Sequence, residues 1–238
     1  MRRCALSKSL LCWLLVLGAR QAFAQPSSVK TARPNGSIYW IFLTTGKSTQ
    51  GVERSEIEKM QAAHLANFGR LHQEGKLFAA GPMADPQKKM RGIVVATASD
   101  LKSLEGLFDA DPYVKQGYMT IDAIKMEIAV GKFQHDVDPK SLAEYRLVLL
   151  EKSTPDGPDI DAEMQKANLA YCESIHDADR LNLAGWFRED KRSRRGVLIF
   201  RNLDDAMLKS LVDALPAVKS NAWNATIYPL YMSEGIVK

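Results

Sequence analysis

The sequence predicts an α+β protein: two βαββαβ units in one chain, pairing as an intramolecular, pseudo-dimeric α+β barrel. Three observations predict it. Strand-like and helix-like segments follow one another as βαββαβ from about residue 39 to residue 130. The same series of residues starts again 104 positions later. Finally, a single unit of this kind packs its helices on one face of its sheet and leaves the other face in need of cover, which a second sheet supplies.

The elements can be justified in order. Arg2 and Arg3 precede an apolar run from Leu10 to Leu17, and Ala22-Phe23-Ala24 follows. This is the pattern of a secretory signal with a small-x-small cleavage site, and its apolar core is too short to span a bilayer. Residues 1–24 are therefore expected to be removed, with the mature chain starting at Gln25, periplasmic or secreted, and with no stable membrane insertion afterwards. Arg2, Arg3, Lys8 and Arg20 account for the whole formal charge of +4, so the remaining chain is neutral. A neutral body lacks the sustained basic surface of a nucleic-acid partner. Cys4 and Cys12 leave with the signal, and Cys172 is left alone at an apolar helical position, where a buried, inert thiol is expected. Residues 25–36, with Pro26, Pro34 and Gly36, read as a flexible leader.

The first unit occupies residues 37–132. Residues 39–45 are aromatic and β-branched, a strand. Residues 54–75 form a helix in which Ile57, Met60, His64, Phe68 and Leu71 share one face, so His64 points with the apolar residues toward the sheet. Gly75 ends it. Strands follow at residues 77–80 and 92–97. Asp100 caps a second helix with Leu101, Leu104, Leu107 and Phe108, which stops near Asp111-Pro112, and residues 119–130 supply the last strand. Gly46-Lys47-Ser48 is not a phosphate loop, because Ile41 stands where that motif needs glycine.

Residues 133–141 read as a linker, and residues 142–238 as the second unit. Met164, Ala167, Leu169, Ala170, His176, Gly185, Gly196 and Asp204 match Met60, Ala63, Leu65, Ala66, His72, Gly81, Gly92 and Asp100. Roughly a quarter of positions from 60 to 131 are identical to their partners without a gap, which marks a duplication.

Several short motifs carry a resemblance. His64-Leu65-Ala66, residues 71–77 (Leu-His-Gln-Glu-Gly-Lys-Leu), Ala80-Gly81-Pro82-Met83 and Asp111-Pro112-Tyr113-Val114 with Gly117 resemble the YCII-like (YciI) family over about residues 38–132. The resemblance implies a ferredoxin-like α+β barrel and a catalytic histidine–aspartate pair, which falls on His64 and Asp111. It also implies a chemistry that includes loss of hydrogen chloride from a chlorinated, hydroxylated aromatic ring, a lyase reaction. The second unit resembles a diverged member: Asn168 replaces the histidine, Leu215 the aspartate and Trp186 the Pro82 equivalent. By this pattern it is inactive, and a pocket is expected beside His64 in the first unit only.

A neutral imidazole moves protons near neutral pH, and a carboxylate beside it fixes its tautomer. The expected function is therefore an exported small-molecule lyase or isomerase with His64 as general base and Asp111 orienting it. Gly81, Pro82, Tyr113 and Tyr118 are candidate ligand contacts; the ligand expected there is a small molecule, and the resemblance points to an aromatic one. No cofactor and no metal site are expected, since no HExxH, paired CxxC or calcium-loop spacing occurs. Two alternatives stay open: a ligand-binding module or pseudo-enzyme without turnover, and an envelope interaction protein. Association of two such chains into a homodimer is also open. His72 and His176 persist in both units, which fits a structural role at the helix end. The concurrent loss of His64 and Asp111 from the second unit points to a shared role, because packing alone does not require both to change.

Overall fold

The computed structural model describes residues 36–188 and 193–238. The expected signal and all of the expected leader but Gly36 lie outside the described residues, as does the middle of the charged loop between Arg188 and Arg195.

The first half contains strands β1 (Ser37–Thr45), β2 (Leu77–Pro82), β3 (Met90–Ala98) and β4 (Met119–Gly131) and helices α1 (Arg54–Gln73), α2 (Leu101–Gly106) and α3 (Pro112–Lys115). The second half repeats them as β5 (Leu142–Lys152), α4 (Ala162–Asp177), β6 (Leu183–Arg188), β7 (Arg194–Phe200), α5 (Asp205–Asp213), α6 (Pro216–Lys219) and β8 (Trp223–Ser233). The sheet order is β2-β3-β1-β4-β6-β7-β5-β8, so each half has the 2-3-1-4 order of a ferredoxin-like unit. All pairings are antiparallel.

Two junctions of the same kind join the halves. The last strand of the first half, β4, pairs with β6, from Lys125 opposite Arg188 to Gly131 opposite Leu183. The last strand of the second half, β8, meets the end of β2 through a Met83–Leu230 bridge, and the Ala84 N–H donates to the Pro229 carbonyl at 2.9 Å. The eight strands thus close on themselves, and closure removes the sheet edges.

Alternation along each strand now has a meaning on both faces. Trp40 and Phe42 of β1 enter the barrel interior with Tyr145, Leu147 and Leu149 of β5, whereas Tyr39, Ile41 and Leu43 face α1 and α2. Val148 and Leu150 face the helices of the second half. The run of five buried residues in β1 follows from cover on both sides. Burying side chains of this size contributes about 1.5–3 kcal/mol each.

Helix ends follow local chemistry. α1 stops in a Schellman motif: the Gly75 N–H reaches the His72 carbonyl and the Lys76 N–H reaches that of Leu71, both at 2.9 Å, with Gly75 at φ +67°. In α4 the same turn is made with Asp179 at φ +57°, a conformation an L side chain adopts at some cost. The helix expected to run from Asp100 to Asp111 is two: α2 ends at Gly106, and Pro112 opens the separate turn α3. Proline suits a first helical position because its missing N–H is not needed there.

The linker is fastened along the barrel. Lys132 and Lys238 exchange backbone hydrogen bonds, the Gln134 N–H donates to the Ile236 carbonyl at 2.8 Å, and the Phe133 ring stacks on Phe78 at 6.2 Å.

Candidate functional site

On α1 the buried residues are Met60, His64, Asn67 and Leu71, a stripe at spacings of four, three and four. The sequence-derived face placed Ile57 and Phe68 there and passed over Asn67. A strict reading of the i, i+4, i+7 series from Met60 finds it. Asn67 Nδ2 donates to the Leu107 carbonyl at 3.1 Å, and Arg70 Nη2 donates to Asn67 Oδ1 at 2.7 Å, which ties α1 to the end of α2.

One turn before Asn67, the His64 Nδ1 lies 2.5 Å from Asp111 Oδ2. Asp111 is fully buried and caps α3, its Oδ1 accepting the Tyr113 N–H at 3.0 Å. One carboxylate therefore fixes both a helix start and an imidazole. A carboxylate oxygen can only accept, so Nδ1 carries a proton, and in the neutral imidazole Nε2 presents its lone pair. Phe68 lies against the imidazole with ring centroids 4.2 Å apart, and Tyr113 meets it edge-on at 5.6 Å. The His64 side chain keeps only 8% of its exposure.

The other candidates are placed differently. Tyr113 adjoins His64, and its hydroxyl donates to the Ile57 carbonyl at 3.4 Å. Tyr118 joins the group through its backbone, donating to the Tyr113 carbonyl at 2.8 Å, while its ring lies 4.3 Å under the Lys47 ammonium. Gly81 sits at the β2–β8 junction, where an added Cβ would fall 1.8 Å from the Tyr231 carbonyl oxygen. Pro82 follows at the exposed end of β2. Among the described residues no group of three His, Cys, Asp or Glu side chains converges in the manner of a metal site.

A family profile described as the YCII-related domain matches residues 39–127, which contain the pair, both tyrosines and most of the four strands of the first half. The first half is a YCII-related domain. Protein YciI of Escherichia coli O6:H1 is 37% identical over 65 residues, and Protein YciI of Shigella flexneri matches to the same extent. Each match spans 24% of this chain and 66% of the relative's length, just under two thirds. The barrel as a whole is similar to that of a Fusobacterium nucleatum protein named as a candidate monooxygenase: TM-score 0.56, 10% identity, covering 85% of this chain and 96% of that one. A heme-binding protein from Thermus thermophilus follows, with TM-score 0.50, 9% identity and 83% and 91% coverage. At these identities the likeness concerns the fold.

Outside the YCII-related domain, the second half answers the first position by position. His72 and His176 each set Nδ1 on the carbonyl of the residue five places on, Leu77 at 3.2 Å and Leu181 at 2.7 Å. The Leu107 carbonyl held by Asn67 corresponds to that of Leu211, which the Tyr171 hydroxyl holds at 2.8 Å. At the pair itself, the amide of Ala217, equivalent to that of Tyr113, is met from the helix side: Asn168 Oδ1 accepts its N–H at 3.0 Å. Leu215, in the place of Asp111, is buried among apolar neighbours. Concurrent loss thus has a packing reason, against the expectation from sequence. Once the cap becomes leucine the orphaned amide needs an acceptor, and Asn168 supplies it.

The expectation of a pocket in the first half only is also corrected. A cavity of about 350 Å³ opens beside Asn168, between the start of α4 and the Trp186–Arg188 end of β6.

Cys172 is fully buried one turn beyond Asn168, and burial pushes its thiol up to about 12, with Glu173 adding to the shift. In a chain with Cys4 and Cys12 replaced by serine, a thiol reagent such as DTNB is expected to leave the native protein unlabelled at pH 8. It should titrate one thiol once urea unfolds the chain, because the thiolate is the reacting form.

Proposed function

We propose that this is an exported small-molecule enzyme of the lyase or isomerase type, working in the first half with His64 as general base and Asp111 as its orienting carboxylate. The observation that carries the reading is the 2.5 Å contact between His64 Nδ1 and a fully buried Asp111 that is itself held by the Tyr113 amide. This leaves Nε2 to take a proton from a bound hydroxyl or acidic C–H. In an elimination the proton goes to Nε2 and the leaving group departs with its bonding electron pair. The same base returning the proton elsewhere gives an isomerisation. The resemblance to the YCII-like family, whose chemistry includes loss of hydrogen chloride from a chlorinated, hydroxylated aromatic ring, supports such rings as the substrate class. The candidate monooxygenase and the heme-binding protein share the barrel at 10% and 9% identity, and their chemistry does not enter the proposal.

The test is halide release from chlorinated hydroquinones by the parent chain and by His64→Ala. The variant is expected to lose about a hundredfold in turnover, the usual contribution of a positioned base. Equal rates would remove His64 from the chemistry and leave the pair as a packing and capping device, the reading favoured by the Asn168–Ala217 exchange in the second half. Export rests on the Arg2-Arg3, Leu10 to Leu17 and Ala22-Phe23-Ala24 series. N-terminal sequencing of the protein from cells is expected to begin at Gln25, and an intact Met1 would overturn it.

A further inference from the structure

The second half has lost the histidine–aspartate pair, yet it contains the cavity beside Asn168. We propose that this cavity is a binding site for a small planar aromatic molecule bearing a carboxylate or carbonyl oxygen, separate from the His64–Asp111 pair.

Two buried donors carry the argument. Asn168 is 1% exposed, and its amide orientation is fixed because Oδ1 must face the Ala217 N–H. That places Nδ2 on the other side, where it has no acceptor among the described residues. Trp223 is 6% exposed, and its indole Nε1 also has no acceptor among them. Both residues line the same cavity. Buried polar groups are nearly always hydrogen-bonded, and leaving one unmet costs about 1–3 kcal/mol. Both donor-bearing residues belong to one lining, and a ligand oxygen seated against them would supply the missing acceptor.

The walls set the rest of the ligand. Trp186 and Trp223 touch at a centroid distance of 6.0 Å and make one continuous aromatic surface, with Ile160 beside it in the lining. Both indoles are additions of this half, since Pro82 and Met119 occupy the equivalent positions in the first. Arg188, Arg195 and Asp159 also stand in the lining, with Arg188 engaged by Glu127 at 2.9 Å and Arg195 by Asp159 at 2.7 Å. A cavity of about 350 Å³ suits a one- or two-ring compound.

The probe is 2-naphthoate, titrated calorimetrically into the full chain, with 2-naphthylmethylammonium as the same ring without an acceptor and cyclohexanecarboxylate as an acceptor without the ring. Naphthoate is expected to bind at least about tenfold more tightly than either control. Trp223→Phe keeps the ring and deletes the indole N–H, and about a tenfold loss is expected, the equivalent of one hydrogen bond. Asn168→Asp keeps an oxygen for the Ala217 amide while replacing the free donor by an anionic oxygen, and a loss of tenfold or more is expected. Each variant is checked for an unchanged unfolding transition. Equal binding of the ammonium compound would overturn the proposal, as would indifference to both substitutions in folded protein. So would the absence of any heat of binding up to about 5 mM, which would mean that solvent alone satisfies the two donors.

Discussion

Replacing Asp111 by leucine is expected to destabilise the chain by about 3 kcal/mol or more, and adding His64→Asn is expected to restore about 1–2 kcal/mol of that loss. The single substitution leaves two buried donors, His64 Nδ1 and the Tyr113 amide, without the carboxylate that meets both. The second substitution installs the arrangement that the second half already uses, in which an asparagine on the helix accepts the amide that the cap has abandoned. Urea unfolding of the parent, both single variants and the double variant gives the cycle directly, provided the slopes agree. Strong coupling between the positions is the expected result. Simple additivity would mean that Asn168 and Leu215 arose independently of one another's local chemistry.

Gly81→Ala is expected to cost about 3 kcal/mol or more, and Gly185→Ala at the equivalent position about 1 kcal/mol. The added methyl at Gly81 would lie 1.8 Å from the Tyr231 carbonyl oxygen, a backbone atom that moves only if β8 leaves β2. At Gly185 the nearest atom is the Met126 sulfur at 2.5 Å, on a flexible side chain that can turn aside. The two measurements, again by urea midpoint, compare one fold position with two neighbours. Similar costs would show that the β2–β8 closure contributes little to stability. The result also bears on Gly81 as a ligand contact, since its lack of a side chain already has a steric reason.

Much of this was legible in the sequence, and the reasons differ by residue. The barrel followed from the repeat, because an ungapped period of 104 residues constrains both halves at once. His64 was legible as an inward-facing residue because helical periodicity fixes a face. Its partnership with Asp111, 47 residues away, rested on the family resemblance, since spacing along the chain does not encode which loop closes over which helix. Asn67 was missed because an asparagine on an apolar face reads as an interruption until its carbonyl partner, Leu107, is in view. The break between α2 and α3 was half legible: Asp111-Pro112 was recognised as a boundary, but a proline can end one helix or begin another. The cavity beside Asn168 was out of reach. It depends on where Trp186 and Trp223 place their rings, and along the sequence Trp186 is only a departure from the Pro82 position.

The fastened connection between Gly131 and Leu142 has an evolutionary consequence. In a symmetric homodimer every substitution appears twice, so a change useful at one site is imposed on its twin. Here the two halves are encoded separately while remaining halves of one barrel, with Phe133 on Phe78 and Lys132 laced to Lys238. A substitution at Asn168 therefore leaves His64 untouched, and the two lobes of the barrel are free to differ in what they hold.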